Sequence, residues 1–461
     1  MTQLKHRPRS LLSSPWGQMV ERVIGVALQA VDPEQAVLSH AHRQDDQLIV
    51  AGQAYDLDRF RRVLLIAFGK AGLPMGMAMS SLLGERLTEG VLLVKEGYGD
   101  LTPGREAPPA LQRLRVLEAG HPTPDTRGLQ AARQIAELLE SCGEDDLVIC
   151  LVSGGASALL VSPVAGVSLE DLRSLTSTLL ACGASIDEIN SLRKHLEGLK
   201  GGKLARLAAP ARVIALILSD VVGDRLDVIA SGPTAPDGTT FTQAWAVLKR
   251  YQLLERTPPP ILDYLSRGIE GEIPENPATD DPLFSRVQNV VVAGNRHAAS
   301  AAVECARDEG LNALLLTTYL QGEARQAGRF LAAILRQAAT SSQPLPRPGL
   351  LVAGGETTVT VLGAGLGGRN QELALAAVED LAGLDDVALV SLATDGGDGP
   401  TDAAGAVVTG ATHRMAVEAG LHPAEFLARN DAYHFFEALG DLLKPGPTLT
   451  NVNDLIFLFA F

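Results

Sequence analysis

Lys70 stands in Gly69-Lys-Ala-Gly72, directly after the apolar run Val63-Leu-Leu-Ile-Ala-Phe68. Glycines let a backbone come close to a ligand, the start of a following helix favours an anion, and a lysine adds a mobile positive charge. That combination suits a phosphate or a carboxylate; a solvent-facing lysine at a helix start is the plainer alternative. Ser153-Gly-Gly-Ala-Ser157 follows a second apolar run. The N–H groups of Gly154 and Gly155 would form an anion nest, and Ser157 would cap or donate to an oxyanion. A glycine turn with a serine cap explains the same residues. No Gly-x-Ser-x-Gly is present, so this is not a lipase-type nucleophile elbow. Downstream, Asn190 to His195 and then Gly201-Gly-Lys203 set several cations and donors around a double glycine. Arg193 and Lys203 are the stronger anion-binding candidates there. Lys194 and Lys200 read as a solvated helix face.

Carboxylates gather in two further loops. Ser219-Asp220 is followed by Asp224, Asp227 and Ser231-Gly-Pro-Thr234. Asp220, immediately after an apolar run, is the best placed of these for a general base or a magnesium ligand, with helix capping as the alternative. Asp395-Gly-Gly-Asp-Gly399 follows another such run, and Asp395 and Asp398 are candidate magnesium ligands, directly or through water. Acidic glycine turns also form for structural reasons. The densest cluster reads Gly354-Gly355-Glu356, then Gly363-Ala-Gly365-Leu-Gly367-Gly368-Arg369-Asn370. A glycine loop before a helix would cradle phosphates, with Arg369 pairing to phosphate or carboxylate. Gly363, Gly365 and Gly368 also satisfy Gly-x-Gly-x-x-Gly. The context of a dinucleotide site is missing, because the preceding strand looks partly exposed and no acidic residue closes a second strand about 20 positions on. The histidines match no zinc pattern, and His121, in His121-Pro-Thr-Pro-Asp125, reads as polar scaffolding.

These loops need elements to hold them. Apolar periodicity predicts a helix over 15–38, strands over 63–68, 90–94, 115–118, 147–152 and 213–218, and helices over 73–83 and 126–142. Alternating strands and helices of this kind imply a doubly wound parallel sheet. Residues 257–282 are rich in proline and read as a domain connection or a large loop around a short helix. Strands then follow over 287–293, 312–316, 350–353, 357–362, 387–393 and 455–460. Helices are expected over 298–309, 322–338, 371–381, 409–420 and 432–439, and the second sheet should be mixed. The expectation is α/β, with two three-layer domains, one Rossmann-like with a doubly wound parallel sheet and one with a mixed sheet. Their bounds are read as 42–240 and 241–461, with the N-terminal helix packing on the second.

Composition agrees with a globular α/β chain: 46 glycines among 461 residues and only 4% aromatics. The 39 basic and 54 acidic residues leave a net charge of −15, which argues against nucleic acid or an anionic membrane as partner. No run of about 20 apolar residues is free of charge, so no transmembrane helix is expected. Lys5, Arg7 and Arg9 precede no long apolar region, unlike a secretory signal. Cys142, Cys150, Cys182 and Cys305 have neither disulfide-framework nor zinc spacing, and the cytoplasm is the expected compartment.

Taken in order, Phe68-Gly-Lys-Ala71, Gly120-His-Pro-Thr-Pro-Asp125, Ser153-Gly-Gly-Ala-Ser157, Ser219-Asp-Val-Val-Gly-Asp224, Ser231-Gly-Pro-Thr234, Gly354-Gly-Glu-Thr-Thr358, Gly368-Arg-Asn-Gln-Glu372 and Asp395-Gly-Gly-Asp-Gly399 resemble the type-2 glycerate kinase family, also called the MOFRL family. The resemblance spans about 15–461. It implies ATP-dependent phosphorylation of D-glycerate to 2-phosphoglycerate and ADP, with the active site in the cleft between the two domains. It implies that Lys70 is the active-site lysine and Arg369 the active-site arginine; both are read as neutralising phosphate charge, with the alternative that one of them holds the glycerate carboxylate. Asp220 completes the catalytic candidates. Gly154, Gly155, Ser157, Gly355, Glu356, Gly368 and Asn370 are the candidates for contacting ATP, and Asp395 and Asp398 for Mg2+. A monomer or homodimer is expected. The competing readings are an NAD(P)-dependent hydroxypyruvate reductase, a name older family annotations use, and a non-catalytic nucleotide-binding protein.

Overall fold

The computed structural model describes residues 7–100 and 106–461; Lys5 lies outside the described residues. The chain divides into two compact units. One comprises Pro33–Ser219 and Asp224–Val292; the other comprises the chain up to Asp32, Asp220–Gly223 and Ala293–Phe461.

The strands in chain order are β1 (Ala41–Gln44), β2 (Gln47–Val50), β3 (Gln53–Asp56), β4 (Arg62–Phe68), β5 (Glu89–Lys95), β6 (Leu114–Ala119), β7 (Asp146–Val152), β8 (Arg212–Leu218), β9 (Val287–Ala293), β10 (Asn312–Glu323), β11 (Gly349–Thr358), β12 (Val387–Ala393), β13 (Gly405–Thr409), β14 (Leu442–Leu443) and β15 (Asp454–Ala460). In the first unit β6, β5, β4, β7, β8 and β9 lie side by side in that order. The pairs β4–β5, β4–β7, β5–β6 and β7–β8 are all parallel. The chain builds outward from β4 in one direction, then returns and builds outward through β7 in the other. This is the doubly wound order, and its switch point lies between β4 and β7. β7 is buried along its whole length and β4 over all but its first residue, as parallel strands covered on both faces must be. β1, β2 and β3 form a separate antiparallel sheet.

Residues 241–292 belong to this first unit, which moves the expected boundary at 240 to 292. The reason is packing. Helices Phe241–Arg250 and Pro259–Ile269 bury Phe241, Leu248, Ile261 and Leu265 in one core with Leu172, Leu175 and Leu192. The prolines at 258–260 start a helix, where the missing N–H costs nothing, and are not part of a linker.

In the second unit the sheet order is β10, β11, β15, β12, β13, β14. Only β10–β11 is parallel; β11–β15, β12–β15, β12–β13 and β13–β14 are antiparallel, so the sheet is mixed as expected. One face packs Leu351, Ala353, Ile456 and Leu458 against helices Ala324–Ser341, Arg369–Ala377 and Ala432–Leu439. The other face carries helix Asn295–Asp308, on which helix Gly17–Gln29 packs.

Two expected elements differ. The single helix over 15–38 is two, Gly17–Gln29 and Pro33–His40, and they fall in different units. Pro33 disfavours a helical Asp32 before it and has no N–H with which to continue the ladder. The two strands expected around Gly354-Gly355 are one unbroken strand, β11; residues 359–368 are loop. These glycines do not turn the chain. They let backbones approach: a Cβ at Gly355, whose φ is +150°, would collide with the Leu320 backbone of β10, and one at Gly354 with the Asn295 side chain.

No helix among the described residues is long and apolar enough to cross a membrane.

Candidate active site

In the first unit the loops after β4 and β7 meet at the switch point, where open α/β sheets bind ligands. They are knitted together by their backbones. The Lys70 N–H donates to the Gly154 carbonyl at 2.9 Å, and the Ala71 N–H to Ser153 Oγ at 3.0 Å. Gly69 has φ +130° and lies so close to Ser153 that any Cβ would collide with its Oγ and carbonyl oxygen. Gly155, at φ +86°, faces the His121 ring and the Lys70 side chain; a Cβ there would stand 3.1 Å from His121 Cδ2 and 3.3 Å from Lys70 Cγ. Thus two glycines fix where Lys70 sits. Among the described residues the Lys70 ammonium has no ion-pair or hydrogen-bond partner, and the Gly154 and Gly155 N–H groups have no acceptor. His121 is held neutral near this lysine: burial, then the charges of Lys70 and Lys95, lowers its pKa to about 4.

Ser157 joins a chain of hydroxyls. Its Oγ lies 3.1 Å from Ser231 Oγ, which donates to Asn190 Oδ1 at 3.1 Å. Its carbonyl accepts from Lys200 Nζ at 2.6 Å, and the same ammonium pairs with Glu197 at 2.6 Å. Lys200 and Lys194 are therefore not the solvated helix face they were expected to form. Lys200 is 1% exposed, and Lys194 is buried against Asp237 at 3.2 Å and Asp227 at 3.4 Å. Lys203 is also tied down, its ammonium donating to the carbonyls of Glu197 and His195, and burial lowers its pKa to about 8. Asp220, half-buried, lies just beyond β8 and Ser219, on a segment that clusters with the second unit.

The second unit holds a different arrangement. Arg369, the first residue of helix Arg369–Ala377, makes a two-pronged ion pair with Asp454, Nε to Oδ2 at 2.6 Å and Nη2 to Oδ1 at 3.0 Å, and pairs with Glu356 at 2.8 Å. Asn370 donates to Asp454 at 2.9 Å and accepts from Ser391 Oγ at 2.7 Å. Asp398 closes the helix start, accepting the Asn370 N–H at 3.2 Å and the Gln371 N–H at 2.9 Å on its two oxygens. Gly368 permits this, since a Cβ there would collide with Asp398. Burial raises the pKa of Asp454 to about 7 against the pull of Arg369, and pushes Asp398 upward too. Burial pulls the Arg369 pKa down, but its two carboxylates outweigh that effect and raise it.

The structure therefore brings Arg369, Asn370, Glu356, Gly368 and Asp398 into one network and adds Asp454, which the sequence analysis did not single out. Its only sequence mark is a lone acid opening the apolar run of β15. One Asp395 carboxylate oxygen accepts the Gly397 N–H at 3.2 Å. No group of three or more His, Cys, Asp or Glu side chains among the described residues is arranged to hold a metal ion. Gly363 and Gly365 pack against residues 429–431, where a Cβ at either would meet backbone atoms, and the Gly365 N–H donates to the Arg429 carbonyl. Close packing accounts for these glycines without a dinucleotide.

Residues 19–266 match the family described as Domain of unknown function (DUF4147), and residues 349–454 match the MOFRL family. A glycerate 2-kinase of Pyrococcus horikoshii is 41% identical over 436 residues, 94% of this chain and 95% of the relative. A D-glycerate 2-kinase of Thermotoga maritima is 44% identical over 395 residues, 86% of this chain and 90% of the relative. The crystal structure of a glycerate kinase from Thermotoga maritima superposes with a TM-score of 0.84 at 39% identity, covering 96% of this chain and 99% of that one. With both family domains matched in order and similarity running through nearly the whole length, the chain belongs to the glycerate kinase family of DUF4147–MOFRL architecture.

Proposed function

We propose that this protein transfers the γ-phosphoryl group of ATP to the 2-hydroxyl of D-glycerate, releasing 2-phosphoglycerate and ADP. The observation that carries it is an uncompensated lysine locked between two glycine loops at the sheet's switch point, in a chain 41% and 44% identical to proteins named for this reaction. Phosphoryl transfer asks a protein mainly to position the reactants and neutralise charge. Lys70 neutralises the transferring phosphoryl, and the free N–H groups of Gly154 and Gly155, with Ser157, hold phosphate oxygens. A neutral His121 keeps a second positive charge away from Lys70. We assign Asp220 as acceptor of the hydroxyl proton. Arg369 with Glu356 and Asp454 forms a rigid charged frame at the start of its helix. Magnesium, which lowers the charge of nucleotide phosphates, takes most of its ligands from phosphate and water in such sites. Of the two candidates, Asp395 is the one we assign to it, because both oxygens of Asp398 hold the helix start.

Phosphorus NMR of the protein with ATP, magnesium and D-glycerate, with L-glycerate as control, tests the assignment. A 2-phosphoglycerate resonance with the D-isomer is expected. A 3-phosphoglycerate resonance overturns the regiochemistry, and no transfer at all overturns the reaction.

A further inference from the structure

We propose that Arg193 is the receptor for the substrate's carboxylate, and so the residue by which this enzyme selects a hydroxy acid over an uncharged alcohol. The inference rests on the kinase reading above and adds a substrate-recognition residue to it.

Four cations lie close together in the sequence from 193 to 203, and three of them are occupied. Lys194 is paired with Asp237 and Asp227, Lys200 with Glu197 and the Ser157 carbonyl, and Lys203 with the carbonyls of His195 and Glu197. Arg193 alone of the four has no hydrogen bond or ion pair among the described residues. It is half-buried, and burial is the main influence on it, lowering its pKa. A guanidinium carries five donors in a planar fork, and leaving it desolvated without an acceptor is costly unless a ligand completes it.

Its neighbours cannot complete it. Glu197, one helical turn on, is the carboxylate whose charge reaches it. Both Glu197 oxygens are taken, Oε1 by Lys200 at 2.6 Å and Oε2 by the Ser162 N–H at 3.2 Å. Lys200 senses the Arg193 charge as well, behind the larger effects of its own burial and of Glu197. Two cations thus share one carboxylate, and the positive excess falls on Arg193.

The location fits a small hydroxy acid. Asn190, one turn before Arg193 on the same helix, holds Ser231, which contacts Ser157 of the glycine loop. Hydroxyl groups and an unfilled guanidinium accordingly come from one small region of the first unit. A planar carboxylate matches the guanidinium fork with two parallel N–H···O bonds, a geometry lysine does not offer. Arg369 is the weaker choice for this task, because Asp454 and Glu356 already take three of its five donors and balance its charge.

The test is steady-state kinetics of Arg193→Gln and Arg193→Lys, varying D-glycerate and ATP separately, with thermal melting of each variant. For Arg193→Gln the glycerate KM should rise about tenfold or more while the ATP KM stays within about twofold, since a charge-assisted two-pronged contact is lost. Arg193→Lys should show a smaller rise in the same constant. An unchanged glycerate KM, or a parallel rise in the ATP KM, overturns the inference. If Arg193→Gln melts early, Arg193→Lys decides by the same two constants. Wild-type enzyme that does not phosphorylate glycerate sinks the kinase reading itself; active wild type with kinetically normal variants sinks only the role of Arg193.

Discussion

The two units treat positive charge in opposite ways. In the first unit, Lys70 after β4 and Arg193 on helix Ile186–Leu196 have no partner among the described residues, and the backbone is arranged so that nothing quenches Lys70: its loop is pinned through N–H groups, and His121 is held neutral. Around helix Arg369–Ala377, Arg369 is matched by two carboxylates and joined to Asn370 and Asp398 through shared partners. A free cation costs stability and is ready for a ligand's negative charge; a saturated one contributes rigidity and has little left to give. A cation's role in such a molecule is read better from what already touches it than from the glycines around it.

The sharpest way to break that contrast is Lys70→Ala. It should lower kcat by about a thousandfold, the scale expected for removing a donor to a transition-state oxyanion, and leave the melting temperature nearly unchanged. A variant that instead melts early would show that Lys70 is structural. Arg369→Ala should do the reverse in emphasis. It leaves Asp454, whose side chain is 3% exposed, without its cation, and should cost about 3–5 kcal/mol of stability in urea unfolding. Adding Asp454→Asn should recover part of that loss; no recovery would mean that the pair is not the source.

The smallest effect is a difference in pH dependence. An unfolded histidine takes up its proton near pH 6.5 and His121 near 4, so its contribution to stability is full above about 6.5 and lost as pH falls towards 4. Asp454 runs the other way. Its native pKa of about 7 exceeds the unfolded value of about 3.9, so its contribution is greatest below about pH 4 and declines as pH rises to 7. Melting curves across pH 4–7 should show His121→Gln losing the rising component and Asp454→Asn losing the falling one. Slopes unchanged by either substitution would remove the titration argument from both units.

Much of the architecture was legible beforehand. The apolar runs that became β4, β7, β8, β12 and β15 are continuous because strands covered on both faces need no polar alternation, and the loops beyond them stood out by glycine and charge. Other features were not legible, for identifiable reasons. Gly354-Gly355 read as a break because glycine usually turns a chain, whereas here it lets β10 and Asn295 approach. Residues 257–282 read as a domain connection or a large loop around a short helix because proline is common in such segments, yet the apolar face of Pro259–Ile269 has a core to join.

By itself, the sequence determined the α/β class, the positions of the glycine loops and the Lys70 and Arg369 candidates, because strand periodicity, turn chemistry and charge are local properties. Only the tertiary structure decided which cations are quenched. Asp454 is 85 residues from Arg369, and Ser157 is 43 from Lys200. No local pattern encodes a pairing at that separation, and the charge left over at Lys70 and Arg193 exists only once every other partner has been placed.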